Sequence, residues 1–185
     1  MVNNNFNLTQ LSNFILLDAT KLDISFFSTE EFNQKYESLY KGGLEEDLVD
    51  VAPYLCTLQS TTEFKNLYKL NGWGNAWWVL LKTELSFDKI YKHFRKFLLV
   101  KTEDGQELYF RFYDPRVLRI FLPTCDSNQL KEFFGPIEYF ICEDEDPTYG
   151  LIFSLANNQL KTERKTKEEI FGLPAQESTE RKFFG

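Results

Sequence analysis

The chain has 185 residues, 43% hydrophobic and 26% charged, which is enough to close one core and too little to suggest two. A formal net charge of -7 excludes a protein whose whole surface is built for nucleic acid, although local basic clusters exist. Cys56, Cys125 and Cys142 are odd in number, far apart and without metal-ligand spacing, so reduced thiols in a cytoplasmic protein are expected. No stretch approaches the roughly 20 apolar residues that span a bilayer. The apolar run Phe14–Leu17 has no basic segment before it, so neither a signal sequence nor a membrane is expected.

Phe14 to Asp18 reads as a first buried strand. Ser28 followed by Glu31 makes a capping box, predicting a helix that buries Phe32, Tyr36, Leu39 and Tyr40 and stops at Gly42–Gly43. Beyond the acidic linker Leu44–Ala52, Pro53 opens a short strand, Tyr54–Leu58. Thr61 or Thr62 caps a second helix carrying Phe64, Leu67 and Tyr68 and closing near Gly72. Ala76–Leu81 is a third strand, apolar throughout and therefore central. Ser86 then caps a helix from Phe87 to about Leu98. Its apolar stripe is Phe87, Ile90, Tyr91, Phe94 and Phe97, with Lys89, Lys92, His93 and Lys96 largely opposite.

Leu99–Thr102 and Glu107–Tyr113 form a hairpin around Asp104–Gly105. Within it LYFRFYDPRVL (Leu108–Leu118) is the most informative stretch of the chain. Leu108, Phe110 and Phe112 fall on one face of a strand, Tyr109, Arg111 and Tyr113 on the other. Asp114 caps the helix that Pro115 opens. Asp126 with Gln129 caps another, ended by Gly135 and Pro136 in FFGPI (Phe133–Ile137). Ile137–Cys142 and Leu151–Leu155 make a last strand pair around the acidic loop Glu143–Asp146. The order predicts an α/β domain of the α+β kind, a mixed β-sheet flanked by helices over residues 1–156. Residues 157–185 are either a charged helix, Gln159–Phe171, with a loose end, or a segment that orders on a partner.

Few residues suggest chemistry. His93 is the sole histidine, which excludes histidine-rich metal sites; among lysines, it reads as exposed or edge-packed. Gly72–Gly74 precedes a strand and lacks a following Gly-Lys-Ser/Thr, so a turn is expected rather than a phosphate loop. Glu143, Asp144, Glu145 and Asp146 lack calcium-loop spacing and read as a solvated turn. The basic face of Lys89, Lys92 and Lys96 reads as solvated, with an acidic partner as the alternative. Arg111, Asp114 and Arg116 are either a brace from strand to helix or a grip on a partner chain. Trp77 and Trp78 face opposite ways, so one is core and the other lies at an edge or interface; Trp73 divides similarly. No catalytic residues, metal or cofactor are expected.

Several phrases in order resemble the adaptor/chaperone family of bacterial type VI secretion effectors, catalogued as a domain of unknown function. They are Phe14–Asp18, APYL at Ala52–Leu55, WWVLLK at Trp77–Lys82, HFR at His93–Arg95, FRFYDPRVL at Phe110–Leu118, and FFGPI. Together they span Phe14 to Leu155. Val79 stands where many relatives have glycine, and Phe94 where they have leucine. The resemblance implies a noncatalytic protein that binds a toxic protein effector in the cytoplasm and helps load it onto the VgrG spike. The candidate partner-binding residues are Arg111, Asp114, Arg116, His93, Trp73 and Trp78. Larger relatives carry a variable second lobe after the strand pair, so this chain is expected to select its cargo by another surface. The rival readings are a toxin-binding immunity-type protein and a small cytoplasmic enzyme.

Overall fold

The computed structural model describes residues 12–21, 35–40, 52–58, 71–101 and 104–172. Its strands are β1 (Phe14–Asp18), β2 (Tyr36–Ser38), β3 (Pro53–Thr57), β4 (Trp78–Thr83), β5 (Leu99–Lys101), β6 (Glu107–Tyr109), β7 (Ile137–Glu143), β8 (Tyr149–Ala156) and β9 (Gln159–Thr166). The helices are α1 (Phe87–Arg95), α2 (Pro115–Thr124), α3 (Ser127–Phe134) and α4 (Lys167–Phe171). Seven strands join one sheet in the order β2-β3-β1-β4-β7-β8-β9, while β5 and β6 stand apart as a two-stranded sheet. This is the expected α+β arrangement, with one refinement. Every pairing is antiparallel rather than mixed.

β4 occupies the centre, as its apolar run requires, and Val79, Leu80 and Leu81 are wholly buried. Withdrawing each such side chain from water contributes about 1.5–3 kcal/mol. Directly paired residues share a face, so register assigns the two sides of the sheet. Phe14, Leu81, Phe140 and Phe153 lie on one face; Ile15, Leu80, Ile141 and Ile152 lie on the other. The first face receives α1 and α3. Phe87 meets Phe14 at 6.1 Å between ring centroids, and Phe133 and Phe134 meet Phe140 at 5.5 and 5.1 Å. On the second face Trp73 packs against Trp78 at 5.5 Å and against Phe171 of α4 at 4.9 Å.

The helix starts follow their local chemistry. Asp114 accepts from the Arg116 backbone N–H at 2.9 Å, with Pro115 in the first turn of α2. Asp126 and Gln129 form the reciprocal box that opens α3. Ser86 holds the cap position of α1 without a capping side-chain bond. Gly135 closes α3 at φ +50, where a Cβ would also stand 2.7 Å from His93 Cε1. The predicted helix between Thr61 and Gly72, like the Ser28–Glu31 box, lies outside the described residues.

Three segments differ from expectation. Tyr36–Ser38 is a strand and not the end of a helix, because its backbone pairs along β3 and Leu39 N–H donates to Pro53 O at 2.8 Å. Non-local pairing overrides the helical spacing of Tyr36, Leu39 and Tyr40. The strand from Glu107 stops at Tyr109. Asp114 N–H donates to Arg111 O at 3.0 Å, closing a turn that buries Phe112 and Tyr113 together. Finally, Gln159–Thr166 is a strand and not a helix. Asn157 and Asn158 both take positive φ, +52 and +61, giving the two-residue turn that suits a tight hairpin. Thr166 and Glu169 then box the short α4.

Among the described residues, no helix is long and apolar enough to cross a membrane. All three cysteines are free thiols, with Cys56 and Cys142 buried.

Docking of α4 can be tested at Gly150. A Cβ there would collide with Ile170 and Trp73 and lie 3.1 Å from the Cys142 carbonyl, which the sheet holds in place. Gly150→Ala is expected to cost about 1–3 kcal/mol through this overpacking. Urea denaturation should show a lower midpoint at unchanged slope. An unchanged midpoint would count against the packing of α4 on β8.

Candidate functional site

β1 carries its apolar run, Phe14–Leu17, up to an acid, and Asp18 is fully buried. A carboxylate there costs several kcal/mol in lost hydration unless donors surround it. Thr20, in the single turn Ala19–Lys21, supplies its backbone N–H at 3.0 Å and its Oγ1 at 2.7 Å. Arg111 supplies Nη2 at 2.6 Å from Asp18 Oδ2. The turn after β6 therefore directs Arg111 to the end of a core strand far away in sequence. Asp18 is the partner that sequence reasoning missed. Its signal was an acid closing an otherwise apolar strand.

Asp114 does two jobs at once. Besides capping α2, its carboxylate receives Arg116 Nε at 3.0 Å and Nη2 at 2.7 Å, a two-pronged pair. Arg111 Nη2 lies 3.7 Å from the same carboxylate. Burial opposes the Asp114 charge, but hydrogen bonds from the Arg116 side chain and backbone, with the charges of both arginines, outweigh it. The carboxyl is held below its ordinary range. The four charges are layered by depth. Asp18 and Asp114 side chains are 0% and 3% exposed, whereas Arg111 and Arg116 are 41% and 54% exposed. Next to them Arg111 lies 5.8 Å from the Tyr113 ring, and Tyr113 hydrogen-bonds with Tyr40. Burial pushes both phenols up, so they stay neutral.

Along α2, Asp114, Arg116, Val117, Ile120 and Phe121 line an open groove of about 430 Å³. Phe121 is held from below by Phe110 at 4.5 Å and Phe133 at 5.3 Å. Ile120 projects outward, 72% exposed. The large exposed apolar side chains of the described residues are Leu99, Val100, Leu108, Tyr109 and Ile120. All fall on the β5–β6 hairpin or on α2.

The remaining candidates have other places. His93 is half-buried, the edge-packed placement, and stands apart from the arginine network. Its Nε2 bonds the Phe133 carbonyl at 2.8 Å, and Phe94 and Phe97 stand edge-on to its ring. Burial lowers its pKa, helped by Lys96, against the raising effects of Phe133 O and Glu132. His93 is thus a neutral brace between α1 and the end of α3. Trp73 and Trp78, 4% and 2% exposed, lie in the core and present almost no surface. Trp77, half-buried, is the outward member of its pair.

Glu143 is corrected. It is 7% exposed rather than part of a solvated turn, and it accepts from the N–H groups of Gly74 and Ala76, the latter at 2.9 Å. Those donors fix a turn that contains positive φ at both residues, +85 and +55. Asp144 does pair outside, with Arg164 Nε at 2.5 Å. No group of three or more His, Cys, Asp or Glu residues placed to hold a metal occurs among the described residues.

A family model described as a domain of unknown function (DUF4123) matches residues 13–132, more than half of the chain. The matched stretch runs from the start of β1 into α3 and includes FRFYDPRVL, while FFGPI lies just beyond it. No curated protein and no solved structure matches the chain.

Two measurements check this geometry. Arg111→Ala leaves the Asp18 carboxylate with Thr20 alone, but water can reach the vacated place. The lower end of the range for a broken buried pair, about 3 kcal/mol, is therefore expected. In a double-mutant cycle, Asp18→Asn with Arg111→Ala should cost less than the two single changes added, by about 1–3 kcal/mol. Strict additivity would dissolve the pair. Separately, the one imidazole of the chain should titrate below 6.5 by NMR. A lowered folded-state pKa means that stability is lost as pH falls from 6.5 through the folded value. His93→Gln should remove that slope; titration at or above 6.5 would contradict the brace.

Proposed function

The chain belongs to this family of unknown function, and on that premise we propose that it is a noncatalytic adaptor/chaperone. It binds a type VI secretion effector in the cytoplasm and helps load it onto the VgrG spike. The resemblance of FRFYDPRVL and its companion phrases supports the secretion setting. The observation that carries the binding role is that, among the described residues, the exposed large apolar side chains all fall on the β5–β6 hairpin and α2. Scattered exposure would need no explanation, but exposure gathered on two elements that follow one another in the chain favours a contact surface.

Physically, the task is to cover apolar segments of a cargo and hold the cargo until it docks. The two-stranded hairpin carries an apolar pair on each of its faces, Leu99–Tyr109 on one and Val100–Leu108 on the other. Arg111 and Arg116 stand beside the groove on α2, and guanidinium groups are frequent anchors of interfaces. Asp18 and Asp114 hold those arginines in place, so that less side-chain entropy is lost on binding.

The test is retention of native partners by the tagged protein from its own cells, read by mass spectrometry. Recovery of one large effector together with a VgrG-type protein is the expected result. Recovery of neither, with bait and partners shown to be expressed, would overturn it. Recovery of a toxin without the spike, silenced by binding, would replace the adaptor with an inhibitor.

A further inference from the structure

The adaptor reading leaves open what the groove on α2 recognises. We infer that it takes an acidic–apolar segment of the partner protein. One apolar side chain seats on Val117, Ile120 and Phe121, and a neighbouring carboxylate is held by Arg116. The inference rests on the adaptor reading and names the chemistry of the cargo segment.

Three features of the molecule favour this occupant. The first is the layering of charge. Both carboxylates of the network face inward and both guanidiniums face outward, so an arriving chain meets cations at this rim. The four charges of the network balance, but their order in depth leaves the two cations outermost, so an approaching carboxylate meets guanidinium first. The second is the edge of Arg116 left open. Asp114 takes Nε and Nη2, the side-on edge, and the end-on edge of Nη1 and Nη2 points away from that bond. No partner for Nη1 exists among the described residues, and a second carboxylate fits that edge in the same forked manner.

The third feature is the floor. Phe121 is fixed by Phe110 and Phe133, so the groove is preformed and not a gap that closes on itself. Ile120, at 72% exposed, stands above it with apolar area still to be covered. A purely apolar occupant would dehydrate the open edge of Arg116 without giving it an acceptor, and a purely acidic one would leave the floor wet. A segment carrying both satisfies each.

The probe is a fluorescein-labelled decapeptide library with leucine or phenylalanine at the centre, flanked by glutamate in one version and by lysine in the other. Fluorescence anisotropy with the full chain should show the glutamate version binding about tenfold or more tightly, with the margin narrowing at high salt. Ile120→Asp, at a solvent-exposed position, should weaken that binding by about tenfold without loss of fold. Arg116→Glu should turn the preference toward lysine, and Arg116→Lys should keep the glutamate preference in weaker form. Equal binding of both versions, or unchanged binding by Ile120→Asp, overturns the assignment. Retention from cells separates this from the adaptor reading. If Ile120→Asp still retains effector and spike as the unaltered chain does, the groove is wrong and the adaptor stands. If the unaltered chain retains neither yet selects the glutamate version, the groove chemistry stands alone.

Discussion

Asp18 places a full negative charge at the end of a core strand, and the surrounding structure is arranged to answer it. The strand cannot move outward to hydrate the carboxylate, because β3 and β4 flank it. Donors have to come to it instead. Thr20 comes from the next turn, but Arg111 comes from a segment reached only after the β5–β6 hairpin has been made. The ion pair therefore fixes where that segment turns. It also explains why the strand stops at Tyr109: a continued ladder would carry Arg111 away from Asp18, whereas the turn brings it back and buries Phe112 and Tyr113 beside it.

From that turn the chain enters α2 through Asp114, and the same few residues serve packing and charge together. Phe112 stacks on Phe94 at 5.3 Å and meets Phe133 at 5.8 Å, tying the turn to α1 and α3 over the sheet. His93 and Gly135 close the far end of this layer, the histidine occupying the space a side chain at Gly135 would need. The opposite face of the sheet has its own clamp, built of Trp73, Trp78 and Phe171, with Glu143 holding the tight turn after Trp73. Aromatic residues make up 17% of the chain, and much of that content serves these two layers.

This division leaves a particular surface. Core and clamps take up Trp73, Trp78 and His93, and the large apolar side chains left exposed among the described residues are those of the hairpin and of α2. Arg111 and Arg116 are both braces and surface groups: one end of each guanidinium answers a buried acid, and the rest faces outward. The choice posed by the sequence between brace and grip is thus not exclusive. A preorganised arginine is the more effective anchor for being already braced.

The sequence by itself determined what local physics controls. An apolar run made β1, a longer one made the central β4, Asp-Pro opened α2, and Asp126 with Gln129 opened α3. Each depends on residues within a few positions of one another. Tertiary structure decided what depends on distant partners. The spacing of Tyr36, Leu39 and Tyr40 suits a helix, yet β3 offered an edge to pair with and the strand won. Gln159–Thr166 looked like a charged helix because an edge strand exposed on its surface carries charges of its own. The Asn157–Asn158 turn was the overlooked sign. Trp73 and Trp78 could be sorted into core or surface only once α4 was seen to cover them. The arginine pair was legible as a motif, but its meaning was not. The acid that fixes Arg111 lies 93 positions earlier, and no local pattern links two charges that only folding brings within 2.6 Å.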